Sequence, residues 1–177
     1  MNKYFKSDIY GFFTWPQLYD DMVKKFPSGS HFVEVGVLEG LSLSHLILKV
    51  IESGKDISIT AVDWFCEQSG GSLINFISNM KLVRNKFDLI IDFSINASHE
   101  FKDKSLDFVF IDASHDYENV KADILAWIPK IKEGGVIAGH DYVEDYSGVM
   151  KAVDEIFGDK INLKYYKNGE GCWLYES

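Results

Sequence analysis

Two stretches of this 177-residue chain carry residues whose types and spacing suit chemistry. In HFVEVGVLEGLS, residues 31–42, an apolar run contains Glu34, turns at Gly36 and Gly40 and is followed by Ser42. A strand, a glycine turn and a helix start leave backbone N–H groups aimed at one point, where a carboxylate or phosphate can be held. Glu34 suits a positive amine and Ser42 adds a hydroxyl donor, so together they fit the end group of an amino acid. The second stretch pairs IDASHDY with GHDY and supplies Asp112, His115, His140 and Asp141. A neutral imidazole with a pKa of about 6.5 can take a proton near neutral pH. Carboxylates and imidazoles together can also hold a divalent cation.

These groups must be positioned by regular elements. HFVEVGV (31–37), ISITAVD (57–63), FDLIIDF (87–93), LDFVFIDA (106–113) and GGVIAGHDY (134–142) are nearly continuous in apolar residues, the pattern of parallel strands buried on both faces. Between them, residues 41–53, 71–85, 118–131 and 147–158 show helical spacing and end near Gly or Pro. Such alternation predicts an α/β, Rossmann-like, doubly wound sheet with ligands at the carboxyl ends of the strands. INLKYYK (161–167) and CWLYES (172–177), joined through NGEG, predict a C-terminal antiparallel β-hairpin, making about seven strands in all. WPQLYDDMVKKF (15–26) predicts a helix, and the aromatic lead-in IYGFFTW is expected to lie across the ligand edge. The chain reads as a single domain over 1–177, its first 30 residues covering the acceptor site.

Asp63 closes the second strand about 20 residues beyond the turn, where an acid in this topology accepts hydrogen bonds from ribose hydroxyls. An amino acid end group plus a nucleoside points to S-adenosylmethionine. The turn lacks the G-x-G-x-x-G spacing of dinucleotide sites, which disfavours a nucleotide-dependent oxidoreductase. A formal charge of −9 and a pI of about 5.0 oppose nucleic acid and anionic membrane surfaces as partners. No run approaches the ~18 apolar residues of a membrane span, and no secretory leader is visible. Cys66 and Cys172 lack metal-type spacing and are expected to be structural thiols of a reducing compartment, with the protein soluble and cytoplasmic.

VEVGVLEGLS, TAVDWF, SLDFVFIDASHDYENVKADI and GGVIAGHDY resemble the successive motifs of class I S-adenosylmethionine-dependent methyltransferases, and more narrowly methyltransferase family 24, over about residues 11–158. The resemblance implies that Glu34, Gly36, Gly40 and Ser42 hold the methionine moiety and Asp63 the ribose. It places Ser94 at the adenine, although Asp92 replaces the family's usual glycine two residues earlier. It also resembles catechol-type and macrolide-sugar O-methyltransferases, where an acid ends the fourth strand, a base follows three residues later and two ligands end the fifth. Asp112 is then a cofactor or metal contact, His115 the base, and Asp112, His140 and Asp141 the metal ligands. Magnesium is the simplest ion, but His140 stands where those enzymes have an acid, and imidazole prefers zinc, manganese or iron.

The expected function is O-methylation of a small-molecule hydroxyl, with a sugar or sugar-linked metabolite as the acceptor class. The alternatives are a catalytically silent S-adenosylmethionine-binding module and a protein methyltransferase. Trp15, Tyr19, Trp64, Phe65, Tyr117 and Tyr142 divide between acceptor pocket and core. The oligomeric state is open, with a dimer among the options.

Overall fold

The structure, a computed structural model, describes residues 9–66, 71–165 and 171–177, with the side chains of 163–165 excluded. The apolar runs form strands β1 (His31–Val35), β2 (Ser58–Asp63), β3 (Asp88–Ile91), β4 (Leu106–Ile111) and β5 (Ile131–Gly139), all parallel to one another. β6 (Asn162–Tyr165) and β7 (Gly171–Glu176) complete an antiparallel edge, β7 pairing with both β5 and β6. The sheet order is β3-β2-β1-β4-β5-β7-β6, the seven strands anticipated from the pattern. Of the NGEG connection, only Gly171 lies within the described residues.

The helices are α1 (Pro16–Lys25), α2 (Leu41–Ser53), α3 (Leu73–Asn79), α4 (Ser94–Ser98), α5 (Tyr117–Trp127) and α6 (Ser147–Phe157). Pro16 opens α1 with its φ already set for a helix, and the Lys55 ammonium closes the other end on the carbonyls of Val23, Lys24 and Phe26 at 2.6, 3.0 and 2.7 Å. The spacing over 71–85 predicts one helix, but α3 stops at Asn79, whose side chain donates to the Glu39 carbonyl, and a 3₁₀ segment follows at Lys81–Lys86. α5 likewise gives way to a 3₁₀ turn containing Pro129, which has no N–H to continue the ladder. The five-residue α4 is too short to show a helical period in sequence.

Because side chains alternate along a strand, each face of the sheet has its own core. On one, Phe32, Phe108 and Phe110 pack against α1 and α2 through Leu18, Tyr19 and Leu46. On the other, Val33, Val109 and Ile137 meet α5 and α6 through Ile124, Trp127 and Val153. Burying one such aromatic or branched side chain is worth about 1.5–3 kcal/mol, so both helical layers are firmly attached. Among the described residues no helix is long and apolar enough to cross a membrane.

Candidate active site

A cleft of about 830 Å³ opens where β1, β2, β4 and β5 end, within the ~300–1,000 Å³ typical of small-molecule sites. Its floor is the turn after β1. Gly36 has φ +87°, and a Cβ there would fall 2.0 Å from the Asp112 carbonyl oxygen, so only glycine lets the ends of β1 and β4 approach. Gly40 caps α2 at φ +91°, and a Cβ there would meet the Met80 sulfur at 2.7 Å. Asp63 ties the turn down: Oδ2 accepts from the N–H groups of Val37 and Leu38 at 2.9 Å each, and Oδ1 accepts from Phe65 N–H at 2.7 Å. A carboxylate offers about four acceptor sites, which leaves one on Oδ1 for a ligand hydroxyl.

Glu34 lies elsewhere than its sequence role requires. Alternation along β1 turns it to the face shared with Phe32, where it is 1% exposed, beneath the turn and off the cleft wall. Its Oε1 accepts from the Ser42 hydroxyl, and burial pushes its carboxyl up to about 8. Glu34 thus holds Ser42, which does line the cleft. Three further buried polar atoms, Glu34 Oε2, Tyr19 OH and Trp15 Nε1, belong to one group in which Tyr19 interacts with both Glu34 and Trp15.

At the ends of β4 and β5 the side chains engage one another. His115 Nε2 is 2.7 Å from Asp141 Oδ2, its ring stacks on Tyr146 at 4.3 Å, and the bond to Asp141 raises its pKa. Asp141 sits at φ +61°, a left-handed conformation that Asp tolerates better than most residues. Burial opposes its ionisation, but hydrogen bonds with His115 and His140 outweigh that and hold the carboxyl at about 2.

His140 adjoins the same two acids from the Trp15 side. Asp112, His115 and Asp141 offer ligand atoms within 4.8 Å of one another, whereas His140 packs under the Trp15 ring at 4.1 Å. Its Nδ1 lies 3.1 Å from Asp141 and 3.8 Å from Asp112, and its Nε2 lies 3.4 Å from Thr14 Oγ1. Asp141, in its left-handed turn, thus meets both His115 and His140, and the His140 ring also packs against Trp15.

At the far end, Ser94 opens α4 and lines the cleft, but its hydroxyl is engaged by α5: Trp127 Nε1 donates to it at 2.9 Å, and it bonds Asp123. Asp92 accepts from Phe93 N–H and from the Asn96 side chain on α4. Asp123, missed in the sequence, reaches the cleft although only 6% exposed, and burial pushes its carboxyl up to about 6. Its signal is a charge inside the 120-124-127 apolar stripe of α5. Of the aromatics, Trp15 and Trp64 line the cleft, Trp64 stacked on Phe93 at 4.8 Å, and Tyr10, Phe12 and Tyr146 join them. Tyr19 is core, Phe65 packs against it, and Tyr117 and Tyr142 pack against the opposite core.

The methyltransferase domain family of group 24 matches residues 33–142, and the chain belongs to that family. Its fold is that of class I S-adenosylmethionine-dependent methyltransferases. It is 32% identical over 103 residues to the uncharacterized protein y4gI of Sinorhizobium fredii, an alignment covering 56% of this chain and 11% of that protein. The chain thus spans about a tenth of that relative's length. Among solved structures it is similar to the O-methyltransferase TomG of Streptomyces achromogenes in complex with S-adenosylmethionine (TM-score 0.68, 13% identity, 95% of this chain and 81% of that one). It is also similar to CalS11, a TDP-rhamnose 3'-O-methyltransferase of calicheamicin biosynthesis (TM-score 0.65, 16% identity, 91% and 76%). At these identities the likeness is one of fold.

Proposed function

We propose that this chain binds S-adenosylmethionine in the cleft and methylates a hydroxyl of a small acceptor. The observation that carries the reading is the meeting, over one cleft, of a glycine turn tied by Asp63 and a His115–Asp141 pair at the adjoining strand ends. The N–H groups at the start of α2 and the Ser42 hydroxyl hold the amino acid carboxylate. Ser42 donates its O–H to Glu34, and that O–H turns to the carboxylate when the ligand enters. Asp63 offers its remaining lone pair to the ribose. Ile95 and Phe93 supply apolar faces for the adenine and Asp123 an acceptor for its amine, with Ser94 holding Asp123 in place.

When bound, the cofactor supplies an electrophilic methyl group on a sulfonium. Asp141 accepts from His115 Nε2–H, which leaves Nδ1 to take the acceptor's hydroxyl proton and lets the carboxylate stabilise the resulting imidazolium. The aromatic lead-in, with Tyr10 and Phe12 on the cleft wall, covers the acceptor end and limits water there. The sugar hydroxyl is the favoured acceptor, supported by the likeness to a protein named for TDP-rhamnose.

The clustering of Asp112, His115 and Asp141 supports a second reading, in which these three hold a divalent cation that acidifies the hydroxyl. His115 Nε2 cannot serve that ion while donating to Asp141, so the base and metal readings exclude each other at this atom. Calorimetric titration with S-adenosylhomocysteine beside NAD tests the whole proposal: saturable heat with the first and none with the second is expected. Absence of heat with S-adenosylhomocysteine removes it. Turnover that survives chelation selects the base over the ion.

A further inference from the structure

The charge on the cleft wall is one-sided. Asp63, Asp92, Asp112, Asp123, Asp141 and Asp145 all line it, and among the described residues no Lys or Arg does. Among the described residues, His115 and His140 are the wall's side chains able to carry positive charge. Four of the six carboxylates are committed to bonds that build the site: Asp63 to the turn, Asp92 to α4, Asp123 to Ser94 and Asp141 to His115. Asp112 adjoins His140 at the base of the same group. Asp145 differs. It lies on the 3₁₀ turn Glu144–Tyr146, next to the ring that stacks on His115, and no hydrogen bond or ion pair among the described residues engages it.

An anionic group entering this end gives up hydration and meets carboxylates, with no guanidinium or ammonium among the described residues in return. A divalent ion between Asp112 and Asp141 would balance those two charges and leave Asp145 unbalanced. The aromatic rings of Tyr10, Phe12, Trp15 and Tyr146 line the same end. Aromatic faces beside a carboxylate attract ammonium groups and also receive the apolar faces of sugar rings.

We infer that the acceptor is an amine-bearing hydroxyl compound without phosphate or carboxylate, an amino sugar being the simplest such molecule, with Asp145 meeting the amine. This rests on the methyltransferase reading and narrows its substrate away from diphosphate-linked sugars.

The test is saturation-transfer NMR on the full chain loaded with S-adenosylhomocysteine, with glucosamine, N-acetylglucosamine and uridine diphosphate glucose as probes, once with chelator and once with magnesium. Glucosamine should bind saturably, N-acetylglucosamine about tenfold more weakly, the size of one partly desolvated cation contact, and the diphosphate sugar not at all. Asp145→Asn should bring glucosamine down to the N-acetyl level with S-adenosylhomocysteine affinity unchanged. Equal binding of amine and acetamide, tighter binding of the diphosphate sugar, or no glucosamine binding by the loaded protein overturns the inference. Failure to load S-adenosylhomocysteine is a different result: it removes the methyltransferase reading, and this inference with it.

Discussion

The two ends of the cleft are built on opposite principles. At the β1/β2 end the groups facing a ligand are backbone N–H groups, held by a carboxylate below and by glycines that leave no space for a side chain. At the β4/β5 end they are side chains held by one another, with His115 bonded to Asp141 and stacked on half-exposed Tyr146. The first arrangement has one geometry and tolerates little change. The second can be altered residue by residue with the fold intact, which suits the part of an enzyme that must differ between acceptors.

The sharpest way to break this contrast is Gly36→Ala. Left-handed backbone strain and a Cβ 2.0 Å from the Asp112 carbonyl should lower stability in urea by about 3–5 kcal/mol. A stable variant that still binds S-adenosylhomocysteine would mean the turn is more plastic than described. At the other end, His115→Ala should leave that stability and affinity nearly intact while methyl transfer falls by about 10²–10⁴. Asp141→Asn sharpens the point. Because the bond to Asp141 raises the His115 pKa, imidazolium persists to higher pH in the parent, and losing the carboxylate should move the acid limb of the rate profile to lower pH.

Asp123→Asn gives a smaller effect, weakening S-adenosylhomocysteine by about tenfold through one charge-assisted hydrogen bond, with little change in the rate at saturating cofactor. The smallest effect belongs to Glu34→Gln. A carboxyl raised to about 8 keeps its proton in the folded state after the unfolded chain has lost its own, so its contribution to stability declines as pH rises from about 4.5 to 8. Thermal unfolding should therefore show the glutamine variant gaining on the parent across that window. Parallel pH curves would place the Glu34 ionisation outside it.

Much of the binding end was legible because its information is local. Glycine spacing, an acid closing the next strand and continuous apolar runs are properties of short segments, and the turn, strands and antiparallel hairpin formed where those segments said. Even the misplaced role of Glu34 could have been read from alternation, since residues 32 and 34 share a face and Phe32 is core. Asp123 carried a similar signal as a charge within a helical apolar stripe. The closing of His115 and His140 on Asp141 from two sides had no such signal. It turns on a single left-handed residue, Asp141, and on Trp15, which comes from an element more than a hundred residues away in the chain.

The chain order of apolar runs, glycines and acids was enough by itself to determine a class I methyltransferase architecture and a cleft at its strand ends, because periodicity and backbone sterics act over a few residues. Only the tertiary structure decided which side chains meet in that cleft: Glu34 below it, His115 on Asp141, His140 under Trp15, and six aspartates without a lysine or arginine on the described wall. Those outcomes depend on packing between distant segments and on the summed charge of residues that are neighbours only in space.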